Sequence, residues 1–509
     1  MKSSSHRPRQ GWTSLRTDFW RQLPYTLFVV VLALSGAAIP AFGQASRYQP
    51  LRASMHIHST YSTGDESLRE ITEEARRLGI DVLVVTDDDL LQISYGLQPW
   101  QRLLRRSESY RSLLVDDTLE EYLSEIRRLD AGFEDLIIIE GVESAPYYTW
   151  DVDWTARRWT VRGWNRHLLA VGLDDASAYR SLPALGSEGV LLPKDGYSIL
   201  RMLWPVLGLF YASWLGRRMH GNGLRLLIGC ICLLFLLDTS LNDFRAPRFS
   251  PYNDAGAEPY QAWIDAVAAK GGLTFWSHPE GASTIPPRDI AGLAHVVSQS
   301  PAHAEDLLQT NSYTGFAALY ADHITATEPG QQWDQALVEY LRGDRGRPPW
   351  GTGEIDYHRG QPGARLHDIQ TVLWVAERSR RGVLEALNRG RAYAVRGGDE
   401  ALQLNRWMIE TQGGEAVSGQ MVVSGQASWR VLADVDKLNG AAEQVALRLV
   451  RGDRAGLIEI VADISGSTPL RVEHLEAGQA PEGGYYYRLL IDSRTSKLTS
   501  NPIFVRSEE

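Results

Sequence analysis

Cysteine is scarce in this sequence. The 509 residues include two cysteines, Cys230 and Cys232, which lie one residue apart inside an apolar stretch. Two such neighbours cannot build the disulfide framework that stabilises many small exported domains. The stability of the folded chain must therefore come from its hydrophobic core and from any bound metal.

Long basic runs are also missing. The formal net charge is -10 at pH 7, whereas a protein that coats nucleic acid needs clustered Lys and Arg to neutralise phosphates. The composition therefore excludes extended nucleic acid as a partner, although a short nucleotide at a metal site stays compatible with it. Internal repeats and low-complexity tracts are absent, and the length suits two to four globular domains.

The N-terminus has the pattern of an export signal. Five basic residues among the first 22 precede the apolar run "YTLFVVVLALSGAAI" and the small residues that follow it. This order predicts that residues 1–45 form an export signal or an N-terminal membrane anchor. The rest of the chain is then expected at the inner membrane, with its catalytic domain on the periplasmic or other extracytoplasmic face.

Residues 51–396 alternate short β-branched runs with amphipathic stretches, which is typical of a parallel α/β domain. Ser67 and Glu70 form a capping box ahead of a helix that Gly79 would end, and Thr118 with Glu121 predicts a second capping box. The predicted strands are "IDVLVVTDDDL", "LIIIEGVE", "HLLAVGL", "GLTFWSHPE" and "PWGTGEIDYH". Polar residues at their ends suit a parallel α/β barrel, whose active site lies at the carboxyl ends of its strands.

Two apolar runs interrupt this alternation. "MLWPVLGLFYASWL" and "LLIGCICLLFLL" are joined by a loop that carries Arg217, Arg218 and Arg225. Basic residues in a loop that returns to the cytoplasm follow the positive-inside rule. The preferred interpretation of residues 199–241 is thus a transmembrane hairpin, although the short runs also fit a buried or interfacial hairpin.

Residues 400–509 change to alternating strands broken by glycine and polar turns, for example "QASWRVLADV" and "QVALRLVRGD". This pattern predicts a separate all-β sandwich. It carries no catalytic constellation, so packing, positioning or partner binding is its expected role.

The two histidines of "HIH" raise the question of chemistry. Residues two apart in a strand share a face, so His56 and His58 are expected side by side, as metal ligands would be. Five further predicted strand ends supply a histidine or an acid, so that imidazoles and carboxylates converge on one mouth. The candidate metal ligands are His56, His58, Asp88, Glu143, His167, His278, Asp356 and His358. This donor set suits a multinuclear site for Zn, Mn or Fe.

In this order, these motifs resemble those of the PHP (polymerase and histidinol phosphatase) superfamily. The resemblance implies a distorted (β/α)7 TIM-like barrel with two or three divalent metals at its mouth. By the same resemblance, His56, His58, Glu143 and Asp356 would hold one metal, Glu143 would bridge to a second held by His167 and His278, and His358 would belong to a third.

Two departures from the family pattern affect the third metal. The chain reads Thr86-Asp87-Asp88 where the family usually has Thr-Asp-His, and Thr63 and Gly64 occupy the place of a further acid or histidine. A carboxylate at Asp88 would favour a harder ion such as Mn, Fe or Mg. The third site is therefore expected either to hold such an ion or to be lost.

The segment "RRGVLEALNRGRAYAV" and the C-terminal "SNPIFV" are similar to the exported CehA/McbA-like group of PHP-type metallohydrolases, which includes a carbamate-ester hydrolase. This similarity implies a secreted hydrolase and names no substrate.

The leading functional prediction is an exported, membrane-associated metal-dependent hydrolase, and within that class a phosphoesterase that uses a metal-bridged hydroxide. Glu143, Asp88 and His358 are the candidate catalytic residues. Arg359 and Arg391 are candidate contacts for an anionic substrate, with surface ion pairing as the alternative.

A second hypothesis replaces the phosphoester by an ester, carbamate or amide. The aromatic stretch after Glu143 favours this hypothesis unless that stretch lies on the membrane surface. A third is a non-catalytic membrane-tethered binding protein. The expected partners are a small-molecule or envelope-derived ester substrate and the lipid bilayer.

Overall fold

A computed structural model describes most of the chain. The described residues are 47–185, 196–218, 222–241, 249–290, 294–321, 324–358, 364–424 and 428–507. The predicted export signal and Arg359 lie outside these ranges.

Helices and strands alternate in the first three quarters of the chain. The helices are α1 (Leu68–Arg77), α2 (Leu119–Gly132), α3 (Ala176–Arg180), α4 (Gly196–Arg201), α5 (Leu203–Arg218), α6 (Asn222–Ser240), α7 (Glu258–Ala268), α8 (Asp306–Gln309), α9 (Gln332–Arg342) and α10 (Arg380–Arg389). The strands of this part are β1 (Gln49–Ile57), β2 (Val82–Val85), β3 (Gln92–Gly96), β4 (Arg105–Ser109), β5 (Ile137–Ser144), β6 (Thr149–Asp153), β7 (Arg158–Arg162), β8 (Leu168–Val171), β9 (Leu273–Trp276), β10 (Ser283–Ile290), β11 (Ala294–Ser300), β12 (Gly315–Leu319), β13 (Trp350–Gly353), β14 (Ile369–Val375) and β15 (Ala392–Arg396).

The C-terminal region is made of strands. They are β16 (Leu402–Thr411), β17 (Gly414–Val417), β18 (Met421–Ser424), β19 (Ser428–Lys437), β20 (Gln444–Asp453), β21 (Ile458–Ser467), β22 (Leu470–Ala477), β23 (Tyr485–Ser493), β24 (Lys497–Ser500) and β25 (Ile503–Ser507). A C-terminal β region is thus present, as the sequence predicted.

The helix starts test the two predicted capping boxes. At α1 the Ser67 side chain accepts from the Glu70 backbone and the Glu70 side chain reaches back to the cap, so the first box is confirmed. Gly79 follows the helix with φ of 66°, a conformation that glycine adopts without strain. The second box is wrong: the backbone of Thr118 is not extended, and its side chain makes no capping bond. The Thr118 hydroxyl therefore cannot reach the free N–H groups of α2.

One large sheet carries the α/β part. Its strand order is β13-β12-β9-β8-β5-β2-β1-β14-β15-β24-β23-β20-β21. The pairs β1/β2, β2/β5, β9/β12 and β12/β13 are parallel, but β8 is antiparallel to both β5 and β9. The predicted parallel order was therefore wrong at β8, and also at β14 and β15, which run antiparallel to β1 and to β14 respectively. No helix lies between β5 and β8, and without a crossover the chain returns in the opposite direction.

The segment that follows β13, at one end of the strand order, returns to β1 in the middle of that order. Beyond β13, Ile355 N donates to Met55 O (3.0 Å), Tyr357 N donates to His56 O (2.9 Å) and His58 N donates to Tyr357 O (3.1 Å). Among the described residues the strands do not close into a continuous barrel ladder. The fold is a mixed α/β architecture with a large sheet, and the (β/α)7 barrel stays a prediction beyond that.

The C-terminal strands continue the same sheet. β15 of the α/β part pairs with β24, while a second sheet, β17-β16-β19-β22, faces it across a hydrophobic core that includes Trp407, Trp429 and Tyr487. Two polar contacts also join the parts: Asn501 binds both the N–H and the C=O of Gly351, and Arg488 meets Asp334 of α9. The predicted sandwich therefore shares its sheet with the preceding region.

Helices α5 and α6 form the predicted apolar hairpin, and residues 219–221 of its connecting loop lie outside the described residues. Within α6, Gly223–Ser240 is long and apolar enough to cross a membrane; the apolar helical stretch Ile199–Leu215 is shorter. Many of their large apolar side chains are exposed, Phe210 and Leu226 among them. These properties are compatible with a spanning hairpin.

Candidate metal centre

Side chains from six segments meet at one edge of the large sheet. His56 and His58 end β1, Asp88 follows β2, Glu143 belongs to β5, His167 precedes β8, His278 follows β9, and Asp356 and His358 follow β13. The reversed direction of β8 explains the position of His167, because the start of an antiparallel strand lies at the edge where its parallel neighbours end. The structure thus brings together all eight predicted ligands.

The two histidines of β1 converge for a reason that the sequence did not show. The β1/β2 register shifts between Met55 and Ile57, and His56 has φ of 68°. Strand alternation is therefore broken at His56, and the argument that two residues of one regular strand share a face is wrong here. Instead, a bulge turns the His56 ring toward the site.

Left-handed backbone recurs at the site. His56 (φ 68°), His278 (φ 28°) and Asp356 (φ 50°) are three of the non-glycine residues with positive φ. Each such residue costs on the order of 1–3 kcal/mol, and strain of this kind concentrates at functional sites. The fold therefore accepts a loss of stability to aim these three side chains.

Glu143 lies at the centre of the cluster. Its Oε1 is 2.8 Å from His167 Nδ1, 3.0 Å from His56 Nε2 and 3.7 Å from His278 Nε2, while its Oε2 is 3.2 Å from His58 Nε2. The two carboxylate oxygens thus face different imidazoles, three at Oε1 and one at Oε2. Backbone bonds fix this position, since Glu143 N donates to Asp87 O and Asp89 N donates to Glu143 O.

A second set of contacts surrounds His58. Its Nδ1 is 3.2 Å from Asp88 Oδ2, and its Nε2 is 3.5 Å from Asp356 Oδ1, which also lies 3.3 Å from His56 Nε2. The ring of His358 stacks on His58 at 4.3 Å between centroids, and its Nε2 is 3.1 Å from Asp356 Oδ1. Asp88 and His358, the residues associated with the third metal, therefore flank the same histidine.

The cluster lines a cavity of about 460 Å³. Part of its wall is formed by Trp164, Leu91 and Tyr320, so the polar floor of the cavity meets an apolar surface.

The aromatic residues that follow Glu143 differ in exposure: Tyr147 and Tyr148 are buried in the core, and Trp154 is exposed. Arg391 lies elsewhere, paired with Glu385 and packed over Tyr48, which matches its ion-pairing alternative.

Opposite charges set the protonation of the cluster. Burial by itself raises the pKa of Glu143 and of Asp356, but nearby histidines, His167 and His56 foremost, hold both pKa values well below the ordinary range. Burial opposes protonation of His56 and His58, yet the neighbouring carboxylates raise both pKa values well above the ordinary range. The pKa of His167 is raised in the same way by Glu143. Without a metal, the positive charge of the protonated imidazoles balances the negative charge of the buried carboxylates.

Sequence analysis missed Glu354. This buried residue lines the cavity, places Oε2 3.3 Å from His56 Nδ1 and accepts at Oε1 from the Thr352 hydroxyl (2.9 Å). A carboxylate on one ring nitrogen of a histidine fixes the ring and leaves the other nitrogen for a metal. Glu354 stands two residues before Asp356, inside a predicted motif, but its sequence neighbours did not separate it from an ordinary strand residue.

Asp87, which stood beside Asp88 in the "TDDD" motif, has a structural role. Its carboxylate accepts from Ser59 N (2.8 Å), Ser59 Oγ (2.8 Å) and Ser62 Oγ (2.6 Å). These bonds hold the turn that follows His58. Thr63 in that turn donates to Asp88 Oδ2 (2.8 Å), so the position that lacks a ligand in this chain instead orients Asp88.

The residues present fit a metal site. The Nε2 atoms of His56 and His58 and the Nδ1 atom of His278 are buried and make no hydrogen bond, although carboxylate oxygens lie near the first two. Buried polar atoms are normally paired. Three sets of ligand atoms fall within 4.8 Å of one another: His56, His58 and Asp356; Glu143, His167 and His278; and His58, Asp88 and Glu143. Nitrogen and oxygen donors of this kind suit Zn, Mn or Fe.

Two solved structures resemble the chain weakly. A two-domain protein from Bacteroides vulgatus, described as containing a predicted PHP-like metal-dependent phosphoesterase, is 13% identical with a TM-score of 0.33, and the match covers 87% of this chain and 91% of that one. A protein from Bifidobacterium adolescentis, described as a putative metal-dependent phosphoesterase, is 15% identical with a TM-score of 0.26, over 62% of this chain and 90% of that one. No family description and no curated protein matches the sequence. TM-scores this low carry no functional argument, so the proposal below rests on the geometry of the site.

Proposed function

We propose that this protein is a metal-dependent hydrolase, and specifically a phosphoesterase that is exported and associated with the membrane. The observation that carries the proposal is the position of Glu143, whose two carboxylate oxygens face different imidazoles. Its Oε1 faces His56, His167 and His278, and its Oε2 faces His58. A carboxylate shared in this way is suited to bridge two metals.

The cavity supplies the other requirements of hydrolysis. Divalent metals bound there would lower the pKa of water and neutralise charge on the oxygens of a phosphate ester. Glu143 and Asp356 stay ionised because the histidines lower their pKa values, so both can act as ligands without first losing a proton. His358 lies at the wall of the cavity and is partly exposed, and when no third metal occupies it, its imidazole can protonate a leaving group.

Export and membrane association are supported by sequence and by one helix. The N-terminal pattern predicts export, and Gly223–Ser240 of α6 has the length and composition of a spanning segment. The apolar hairpin would then hold the cavity near the outer surface of the inner membrane.

Metal content per chain, measured by mass spectrometry, tests the site. We expect about two or more divalent metals in the full chain purified in detergent, and a clear loss in the His56→Ala, His58→Ala double variant. A His295→Ala, His474→Ala double variant is the matched control, because both residues lie outside the cluster. No bound metal in the parent, even after Mn or Zn is added, would contradict the proposal and favour a non-catalytic binding protein.

The type of bond that the protein hydrolyses is tested separately on the metal-loaded protein. Phosphate esters and carboxyl esters with the same p-nitrophenyl leaving group are compared at equal concentrations. We expect hydrolysis of the phosphate esters, and the Glu143→Gln variant should lose it. Turnover of the carboxyl ester alone would overturn the phosphoesterase assignment in favour of an ester, carbamate or amide hydrolase, for which the apolar wall at Trp164 and Leu91 is the supporting observation.

A further inference from the structure

A second cavity lies outside the metal centre. It has a volume of about 590 Å³ and is lined mainly by apolar side chains, among them Ile93, Leu97, Leu104, Trp150, Trp159 and Ile285. We call it the apolar groove. Its volume falls in the range of about 300–1,000 Å³ that small-molecule sites occupy, and its walls come from the β3–β4 hairpin and from the sheet β10-β11-β7-β6.

The apolar groove adjoins the metal cavity. Each of three segments gives one residue to the metal cavity and another, two or three positions away, to the groove: Leu91 and Ile93, Trp164 and Val161, and Ala282 and Ile285. Two or three residues of extended chain span about 7–10 Å. A ligand of moderate length can therefore lie in the groove and reach the metal centre.

The other end of the groove is attached to the apolar hairpin. Leu103 and Leu104 line the groove, and the backbone N–H groups of Arg102 and Leu103 donate to Asp238 of α6 at 2.7 and 2.9 Å. The ring of Trp100 lies 5.8 Å from that of Phe235, also in α6. The groove thus connects the helix that is able to span a membrane with the metal centre.

The lining of the groove suits a hydrocarbon chain. Most of its walls are apolar, and the charged pair of Arg288 and Glu108 lies among the residues at its edge. A long-chain phosphate ester combines a hydrocarbon chain that suits this lining with a phosphate that suits the metal centre.

From these observations we infer that the apolar groove binds the hydrocarbon chain of a lipid-like phosphate ester, whose phosphate reaches the metal centre. This inference rests on the proposed function and names its substrate class. Water would attack phosphorus, the bond to the leaving alcohol would break, and the alcohol and the remaining phosphate would be released. Membrane lipid would then be the source of the substrate, delivered beside α6.

Two chromogenic diesters test the inference, p-nitrophenyl butyl phosphate and p-nitrophenyl dodecyl phosphate. Both release p-nitrophenolate, so the chain alone differs. The full chain is held in an amphipathic polymer, because detergent tails would compete for the groove, and the dodecyl ester is kept below its micelle-forming concentration. Each methylene that leaves water strengthens binding about fourfold. We expect kcat/KM for the dodecyl ester to exceed that for the butyl ester by at least about tenfold, since part of the chain will stay in water.

Substitution in the groove provides the decisive comparison. Leu104 (49% exposed) and Ile285 (51%) are replaced together by glutamine, and Leu457 (55%) and Ile460 (45%) in the C-terminal β region serve as the matched control. In the L104Q/I285Q variant the ratio of kcat/KM for the dodecyl ester to that for the butyl ester should fall toward one, while L457Q/I460Q should keep the ratio of the parent. Equal rates for both esters in the parent, or an unchanged preference in L104Q/I285Q, would overturn the inference.

The experiments distinguish failure of the proposed function from failure of the inference about the groove. If metal-loaded protein hydrolyses neither ester, the phosphoesterase proposal fails. Binding of dodecyl phosphonate, measured by calorimetry, then tests whether the groove holds a hydrocarbon chain. Binding at least tenfold weaker in L104Q/I285Q than in L457Q/I460Q would still support a groove for hydrocarbon chains. Equal binding by the two variants would contradict a hydrocarbon-binding role for the groove.

Discussion

At the scale of single residues, the candidate centre is defined by how a few side chains share one carboxylate. Residue types and their order along the chain were enough to single out the eight residues that the structure brings together, because polar residues at the ends of apolar strands stand out. Glu354 did not stand out, since its role depends on the orientation of His56. That orientation comes from a bulge with φ of 68°, which no residue pattern indicated.

Replacement of Glu354 by glutamine should weaken metal binding. The carboxylate lies 3.3 Å from His56 Nδ1, so its replacement by a neutral amide removes the negative charge that holds the ring and raises its basicity as a ligand. We expect metal affinity to fall about 10–100-fold while the fold is retained, as for outer-shell partners generally. Competitive titration with a chelating dye measures the affinity, and Glu473→Gln, at an exposed position, is the control. Equal affinity for E354Q and E473Q would show that Glu354 does not position His56.

The protonation of the histidines predicts how pH affects metal binding. The carboxylates raise the pKa values of His56, His58 and His167 in the metal-free protein, against the opposing effect of burial. A metal must displace these protons, so its apparent affinity should rise with pH until the raised pKa values are passed, by about tenfold per pH unit for each proton displaced. Calorimetry in buffers of different ionisation enthalpy counts the protons, and we expect at least one per metal at pH 7.

The same shifts predict the stability of the metal-free protein. A histidine with a raised pKa stabilises the fold below its ordinary pKa, and this contribution is lost as pH rises through the raised value. Metal-free protein should therefore lose stability as pH increases above neutrality, and the metal-loaded protein should not. Metal binding without proton release at pH 7 would contradict the assigned protonation.

At the scale of elements, the strands with clear apolar runs were predictable and their directions were not. The strand at "HLLAVGL" was expected in parallel order but is antiparallel, because what decides its direction is the absence of a helix between residues 144 and 168. The loop after β1 depends on Asp87 and on the close approach of Gly64 to His58, and both became visible only in the structure.

Gly64→Ala should disrupt the loop that follows β1. A Cβ at Gly64 would lie 2.2 Å from the backbone oxygen of His58, and backbone cannot move aside as a flexible side chain would. We expect a loss of stability of about 1–3 kcal/mol together with weaker metal binding. Gly132→Ala in α2 is the control, because nothing lies within 4 Å of its added Cβ. Thermal unfolding and metal titration measure both effects, and a G64A protein that matches G132A in both would show that the loop tolerates a side chain.

At the scale of the whole molecule, the C-terminal β region and the α/β region share a sheet and a buried ion pair. Arg488 Nε and Asp334 Oδ1 are 2.7 Å apart, and both side chains are fully buried. Burial opposes the charge of Arg488, but Asp334 keeps the pKa of the guanidinium above its ordinary value. The sequence predicted two separate units because the pattern changes to alternating strands near residue 400, and a local pattern says nothing about the hydrogen bonds between β15 and β24.

Replacement of Arg488 by methionine should therefore destabilise both regions. It leaves the Asp334 carboxylate buried without its partner, and breaking a buried pair costs about 3–5 kcal/mol. The control is Arg454→Met, which removes an exposed ion pair with Glu482 and should cost at most about 1 kcal/mol. If the regions fold as one unit, R488M lowers the unfolding temperature and the metal-retention temperature together. If R488M instead unfolds the C-terminal strands while metal stays bound, the α/β region holds its site alone, and the shared sheet is a packing surface between two independent domains.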